Sequence, residues 1–176
     1  MRKQILAYFF FLATILLVIT SCSSAINDSK QEQNKDSEHA SQEEEQPLHA
    51  DSGDLRETTK SVDVLPNFLK DSTDGMKAVY TTAAEHKELL EYIPCYCGCA
   101  ESGNHKDNYD CYIYENKKNG EVVWDAHGTG CSVCIETTAE SVSQFNEGKS
   151  IKEIRQYIDK KYKEGFAKPT PTPMPS

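Results

Sequence analysis

Six of the seven cysteines in this chain fall within 40 of its 176 residues, and their spacing suits metal binding or redox chemistry. Three alternate with other residues in the run Pro94-Cys95-Tyr96-Cys97-Gly98-Cys99. Two more form the pair Cys131-x-x-Cys134, and Cys111 lies between the two groups. In a turning loop, cysteines two residues apart can direct their thiols towards one centre. Gly98 has no side chain to oppose such a turn.

The first interpretation of this pattern is a metal site. Thiolates favour Cu(I) and Zn(II), so the predicted cofactor is a copper or zinc ion. His105 and His127 lie close in sequence and offer nitrogen donors, and His127 is predicted as an optional ligand. Six sulfurs exceed the four ligands of one tetrahedral ion and allow a shared or multinuclear site. The predicted ligands are Cys95, Cys97, Cys99, Cys111, Cys131, Cys134 and His127.

Two other interpretations stay open. The six thiols could form three structural disulfides in a surface interaction module, since space outside the cytoplasm can be oxidising. The crowded run from Cys95 to Cys99 argues against this, because each thiol would need a different distant partner. Alternatively, Cys131 and Cys134 could exchange thiols and disulfides at a helix N-terminus, although a thioredoxin-like βαβ pattern is missing. No other catalytic motif is convincing, so no catalytic residue is predicted and the chain is interpreted as a non-enzyme.

One helix and one hairpin are predicted to position the first cysteines. Apolar residues at helical spacing run from Asp74 to Ile93, and Pro94 should end this helix because it cannot donate a backbone hydrogen bond. Strand-like residues follow at 110–114. Asn119-Gly120 is a hairpin-turn signal, and 121–124 could be the returning strand.

Two further helices follow the second cysteine group. One should begin at or near Cys131 and run to about Asn146. The next starts at the capping box Ser150-Ile151-Lys152-Glu153 and ends at Gly165. The predicted fold is therefore mainly α with a small β-hairpin. It is a compact domain of about three helices, stapled by a metal–thiolate site or by disulfides.

The N-terminus has the pattern of a lipoprotein signal peptide. Arg2 and Lys3 precede an apolar run, which ends in Ile19-Thr20-Ser21-Cys22. This ending is typical of a bacterial lipobox, in which small side chains flank the cleaved bond and the cysteine carries the lipid. We predict a signal peptide over residues 1–21 and lipidation of Cys22. The protein would be lipid-anchored at the extracytoplasmic face of a cell membrane, where a metal-handling membrane protein is a candidate partner.

Charge and composition divide the rest of the chain into a tether, a folded domain and a tail. The net charge is -9, which argues against nucleic acid as a partner because phosphate binding needs clustered Lys and Arg. Residues 23–67 hold 11 acids and 4 bases without an aromatic residue. Such a stretch buries too little apolar surface to fold. We therefore predict a disordered acidic tether over 22–67, a folded domain over 68–167 and a disordered proline-rich tail over 168–176.

The segment Ile93-Pro94-Cys95-Tyr96-Cys97-Gly98-Cys99 resembles the hallmark of the PCYCGC-motif family of lipoproteins from Bacillus-like bacteria. The resemblance covers roughly residues 75–163, and it includes Cys111, Asp125-Ala126-His127-Gly128, Cys131-x-x-Cys134, Gly148-Lys149-Ser150 and Ile154-Arg155. It implies lipoprotein topology and little biochemistry. Some relatives carry a further Cys where this sequence has residues 100–104, which implies a leaner ligand set here.

Overall fold

A computed structural model of the protein describes residues 48–49 and 53–176. The strands are β1 (Leu48–His49), β2 (Leu55–Thr59), β3 (Ile113–Asn116) and β4 (Val122–Asp125). The α-helices are α1 (Asp74–Glu85), α2 (Lys87–Leu90), α3 (Cys99–Ser102), α4 (Ser132–Asn146) and α5 (Ile151–Lys161). Three short 3₁₀ segments lie between them at Asn67–Leu69, Tyr109–Cys111 and Ala126–Gly130. None of the helices in this part of the chain is long and apolar enough to cross a membrane.

The strands form one antiparallel sheet in the order β1-β2-β4-β3. The predicted hairpin corresponds to β3 and β4, and Gly120 in its turn has a φ of +92°, a value that glycine adopts without strain. The first predicted strand is only partly right, because Tyr109–Cys111 forms a 3₁₀ turn and β3 begins at Ile113. The fold is thus a mixture of helices and sheet, with a larger sheet than a single hairpin.

Strand β2 lies inside the segment predicted to be a disordered tether, so the boundary at residue 67 is wrong. Arg56 pairs in register with Asp125 of β4, and its Nε donates to the Asp125 carboxylate at 2.9 Å. The indole nitrogen of Trp124 donates to the Thr59 hydroxyl at 2.8 Å. These contacts join residues 69 and 65 positions apart. They stabilise a strand that its local composition does not favour.

The helices follow the predicted pattern with two differences. Helix α4 begins directly after Cys131, and α5 has the complete Ser150–Glu153 capping box. The helix predicted from Asp74 to Ile93 is instead divided at His86, which takes a non-helical φ of -116° between α1 and α2. Helix α3 lies in a stretch for which the sequence predicted no helix.

The proline-rich end packs against the first cysteine loop, so its predicted disorder is also wrong. Alternate prolines keep the segment extended, and Thr170 and Thr172 are buried. The Cys95 amide donates to the Thr170 hydroxyl at 2.9 Å, and the Thr170 amide donates to the Cys95 carbonyl at 3.0 Å. A guanidinium nitrogen of Arg155 donates to the Pro173 carbonyl at 3.0 Å.

Aromatic side chains form the centre of the core between the sheet and the helices. Trp124, Tyr80 and Tyr112 are fully buried, and the Tyr80 ring packs edge-on against Tyr112 with 5.0 Å between centroids. The Tyr80 hydroxyl donates to the Asp125 carbonyl at 2.9 Å. Helix α1 is thereby fixed to the end of β4, where the cysteine-bearing loops begin.

The variant Arg56→Met tests whether β2 belongs to the folded domain. Without the guanidinium, the fully buried Asp125 carboxylate loses an ion pair, and we expect a loss of about 3 kcal/mol in the free energy of unfolding. The measurement is urea unfolding of the reduced protein at pH 7. Lys60→Met, at the exposed residue after β2, is the matched control and should change little. Equal stability of the two variants would contradict the docking of β2.

Candidate metal centre

The six cysteine sulfurs of the domain come together at one place. Cys134 is central, with its Sγ 3.2 Å from those of Cys95 and Cys111 and 3.8 Å from that of Cys97. The Cys99 and Cys111 sulfurs are 3.9 Å apart. All six cysteines are free, and these separations exceed the roughly 2.05 Å of a disulfide bond. The thiols therefore form one cluster and do not divide into three bonded pairs.

The first three thiols are delivered by a turn between α2 and α3. Gly98 has a φ of +91°, which a residue with a side chain rarely adopts, and it places Cys99 at the start of α3. Cys95 and Cys99 are buried, whereas Cys97 is half-buried. The bend predicted for this loop is therefore present at Gly98.

Cys111 and the Cys-x-x-Cys pair approach from the other side. Cys111 ends the 3₁₀ turn before β3 and is fully buried. Cys131 is the N-cap of α4, and its sulfur accepts a hydrogen bond from the Cys134 amide at 3.5 Å. The positive end of the α4 dipole thus lies beside the sulfurs, which favours thiolates.

Two histidines complete the cluster. His127 Nε2 lies 3.5 Å from the Cys97 sulfur, and the His127 amide donates to the Asp125 carboxylate at 2.9 Å. His105 lies beside it, with the two rings nearly perpendicular and 4.8 Å between centroids. His105 was noted in the sequence as a nitrogen donor but left out of the predicted ligand set. Only its nearness to Cys99 in sequence hinted at this position.

A close backbone approach keeps the His127 loop against the cluster. A Cβ on Gly128 would lie 2.6 Å from the Tyr112 ring and 3.0 Å from the Cys111 carbonyl oxygen. Real Cβ atoms do not come this close, so a side chain at Gly128 would displace either the loop or the Tyr112 ring. The sequence pattern identified His127 but not this packing requirement.

The donor set suits a soft or borderline metal. Two groups of four side chains have ligand atoms that all lie within 4.8 Å of one another. One group is Cys97, His127, Cys131 and Cys134, and the other is Cys99, His105, Cys111 and His127. A set of four ligands made of cysteine sulfurs and imidazole nitrogens is usual for Zn(II), and thiolates also suit Cu(I). The predicted cysteines and His127 are therefore placed where they could hold a metal.

The thiols differ in acidity when no metal is bound. The adjacent Cys134 thiol lowers the pKa of Cys131 to about 5, and contact with Cys111 lowers the pKa of Cys99. Burial raises the pKa of Cys111, and contact with Cys111 raises the pKa of Cys134. Thiolates at Cys99 and Cys131 thus lie beside protonated thiols at the centre, whose protons a metal ion would displace.

The histidines carry the compensating charge. Contact with Cys131, followed by Cys97, raises the pKa of His127. Burial lowers the pKa of His105, but Asp125 and Cys99 raise it more, to a net value of about 9. Burial raises the pKa of Asp125, but His105, the His127 amide and Arg56 outweigh it, so the net pKa is below its ordinary value.

Part of the cluster lines a cleft in the described structure. A cleft of about 510 Å³ is lined by Cys97, His127 and Cys131, with Asp54 and Gly130 at its edge. Cys95, Cys99, Cys111 and Cys134 lie buried. Reagents and metal ions would therefore meet Cys97 and Cys131 first.

This arrangement predicts which thiol of the reduced, metal-free protein reacts first. Cys131 lines the cleft, and with a pKa near 5 it is already a thiolate at neutral pH. We expect its alkylation by iodoacetamide to rise between about pH 4 and 6 and to be flat above pH 7. Cys111 and Cys134 should stay unmodified, as measured by peptide mass spectrometry. A Cys131→Ser variant should lose this fast phase, and uniform labelling of all six thiols would contradict the assignment.

The comparisons agree with the resemblance noted in the sequence. The family described as "Protein of unknown function with PCYCGC motif" matches residues 11–175. No curated protein and no solved structure matches the chain. The match is wider than the expected span and contains every cysteine and both histidines of the cluster. The chain therefore belongs to the PCYCGC-motif family.

Proposed function

We propose that this chain is a bacterial lipoprotein whose cysteine-rich domain binds a soft metal ion, Cu(I) or Zn(II), outside the cytoplasm for storage, delivery or tolerance. The observation that carries the metal proposal is the convergence of six free thiols and two imidazoles at one partly buried site. The thiols come from three separate parts of the fold. Each of those parts is fixed by backbone contacts that do not involve the sulfurs.

The chemistry of the site follows from its own residues. Cysteine binds metals as the thiolate, so binding releases protons from Cys111 and Cys134 in particular. The α4 N-terminus and His127 stabilise negative charge on the sulfurs, and the aromatic core behind them excludes water. A bound metal would supply the positive charge that six crowded sulfurs need. These features favour tight binding of a thiophilic ion over rapid turnover of a substrate.

Thiol–disulfide exchange by Cys131 and Cys134 is a second candidate function. The lowered pKa of Cys131 at a helix N-terminus supports a nucleophilic role. The other four thiols would then have no part in the reaction, although they lie in the same cluster. Metal content and free-thiol count distinguish the two functions.

The lipoprotein part rests on the sequence. The lipobox ending at Cys22 and the apolar run before it lie outside the described residues. The acidic segment between Cys22 and β2 would act as a spacer, shorter than predicted because the fold begins by Leu55. A metal-handling membrane protein is the partner expected for delivery.

Metal binding is tested by elemental analysis of the full chain purified under reducing, oxygen-free conditions. We expect zinc or copper to be bound stoichiometrically and thiol-specific reagents to be blocked until a chelator is added. Cys134→Ser removes the central sulfur and should lower the metal content and weaken affinity. Ser132→Ala, in the same helical turn but exposed, should leave both unchanged. Six thiols oxidised to disulfides with no metal would contradict the proposal.

Membrane anchoring is tested with Cys22→Ala in bacterial cells. Since the thiol of Cys22 would carry the lipid, we expect the native chain to partition into the detergent phase of a Triton X-114 separation. The variant should accumulate unprocessed or lose incorporation of labelled fatty acid. Undiminished labelling of the variant would exclude Cys22 as the lipid site.

A further inference from the structure

We propose that the cluster holds two metal ions in separate positions, each bound by three cysteines and one histidine. The outer position would use Cys97, Cys131, Cys134 and His127. The inner position would use Cys95, Cys99, Cys111 and His105. This inference rests on the proposed metal binding and extends it to the number of ions and the role of His105.

The groups of neighbouring donors overlap, and this division uses each of the eight donors once. The four outer ligand atoms lie within 4.8 Å of one another. Cys99, His105 and Cys111 do so as well. The Cys95 sulfur is within that distance of Cys99 and Cys111, and also of Cys97 and Cys134, and we assign it to the inner set because the outer set already has four donors. His127 meets the inner group too, but its Nε2 lies 3.5 Å from the Cys97 sulfur, and one ring nitrogen serves one ion. Three cysteines and one histidine form a recognised four-coordinate zinc set.

The buried side chain of His105 is independent evidence for the inner position. Its side chain is 2% exposed, yet neither ring nitrogen has a hydrogen-bond partner within the described residues. A buried imidazole left unsatisfied is destabilising. Binding a metal through one nitrogen, with the other directed at the Asp125 carboxylate 3.8 Å away, would satisfy both. A carboxylate behind a metal-bound histidine is a common arrangement.

A single ion with four ligands would leave half of the eight donors without a metal. An ion bound by the outer four residues would leave three buried thiols and His105 without a metal. If all six thiols were ionised, their charge would exceed what one divalent cation can balance. The two sets meet at three pairs of sulfurs that are each 3.2 Å apart: Cys95–Cys134, Cys95–Cys97 and Cys111–Cys134. Two divalent cations and six thiolates give a net charge of about -2.

The two positions differ in access to solvent. Cys97, Cys131 and His127 line the cleft, so an outer ion could be exchanged with a chelator or a partner protein. The inner cysteines are at most 1% exposed. An inner ion would therefore leave only when the domain opens. We infer that the outer ion is the one delivered and the inner ion is structural.

The experiment is a Zn(II) titration of the reduced full chain, followed by gel filtration and elemental analysis. We expect two zinc ions per native chain and one each in His105→Ala and His127→Ala. His86→Ala, a histidine between α1 and α2 outside the cluster, should retain two. With a chelator in excess, the native protein and His105→Ala should each release one ion rapidly, whereas His127→Ala should release its ion slowly.

Other results would contradict different parts of the proposal. One ion in the native chain, with protected thiols, would overturn the two-ion inference and leave metal binding intact. No bound zinc, together with no bound Cu(I) when the titration is repeated with Cu(I), would overturn both. Two ions in the native chain and in both cluster variants would overturn the histidine assignments. If His105→Ala does not fold by circular dichroism, the native stoichiometry and the two release phases decide the question alone.

Discussion

The buried carboxylate of Asp125 is the interaction on which the fold and the cluster both depend. Arg56 from β2 pairs with it, the His127 amide donates to it, and His105 lies 3.8 Å from it. The carbonyl of the same residue accepts from Tyr80 of α1. A charge at this depth is stable only when several partners surround it. Its partners come from the sheet, the first helix and both histidine loops, so satisfying Asp125 also orients the side chains that could hold a metal.

The sequence predicted the features whose signals are local. The capping box at Ser150 and the turn at Asn119-Gly120 each act over a few residues, and both are present. The cysteine spacing likewise predicted one site. Strand β2 and the buried tail were missed because their stability comes from distant partners. A pair such as Arg56 and Asp125, 69 residues apart, leaves no periodic pattern in either segment.

The two histidines of the cluster also show that local sequence signals do not predict contacts between distant residues. His127 stands in a loop with two glycines just before Cys131, and this context made it a recognisable ligand candidate. His105 stands in a polar loop with no such context, and its role depends on burial beside Cys99 and Asp125. The close packing of Gly128 against Tyr112 was equally hidden. Sequence reasoning could therefore identify the donor residues of the cluster, but not how they are grouped in space.

The cluster joins the turn at 95–99, the segment at 105–111 and the stretch from His127 to Cys134. A metal held there would connect the first helices, the sheet and α4 as covalent cross-links do, so its binding free energy would also be folding free energy. Emptying the site would increase the time that the chain spends partly open, and partly open chains are cleaved by proteases. At the extracytoplasmic location proposed above, the metal supply would thus set the lifetime of the protein as well as its occupancy.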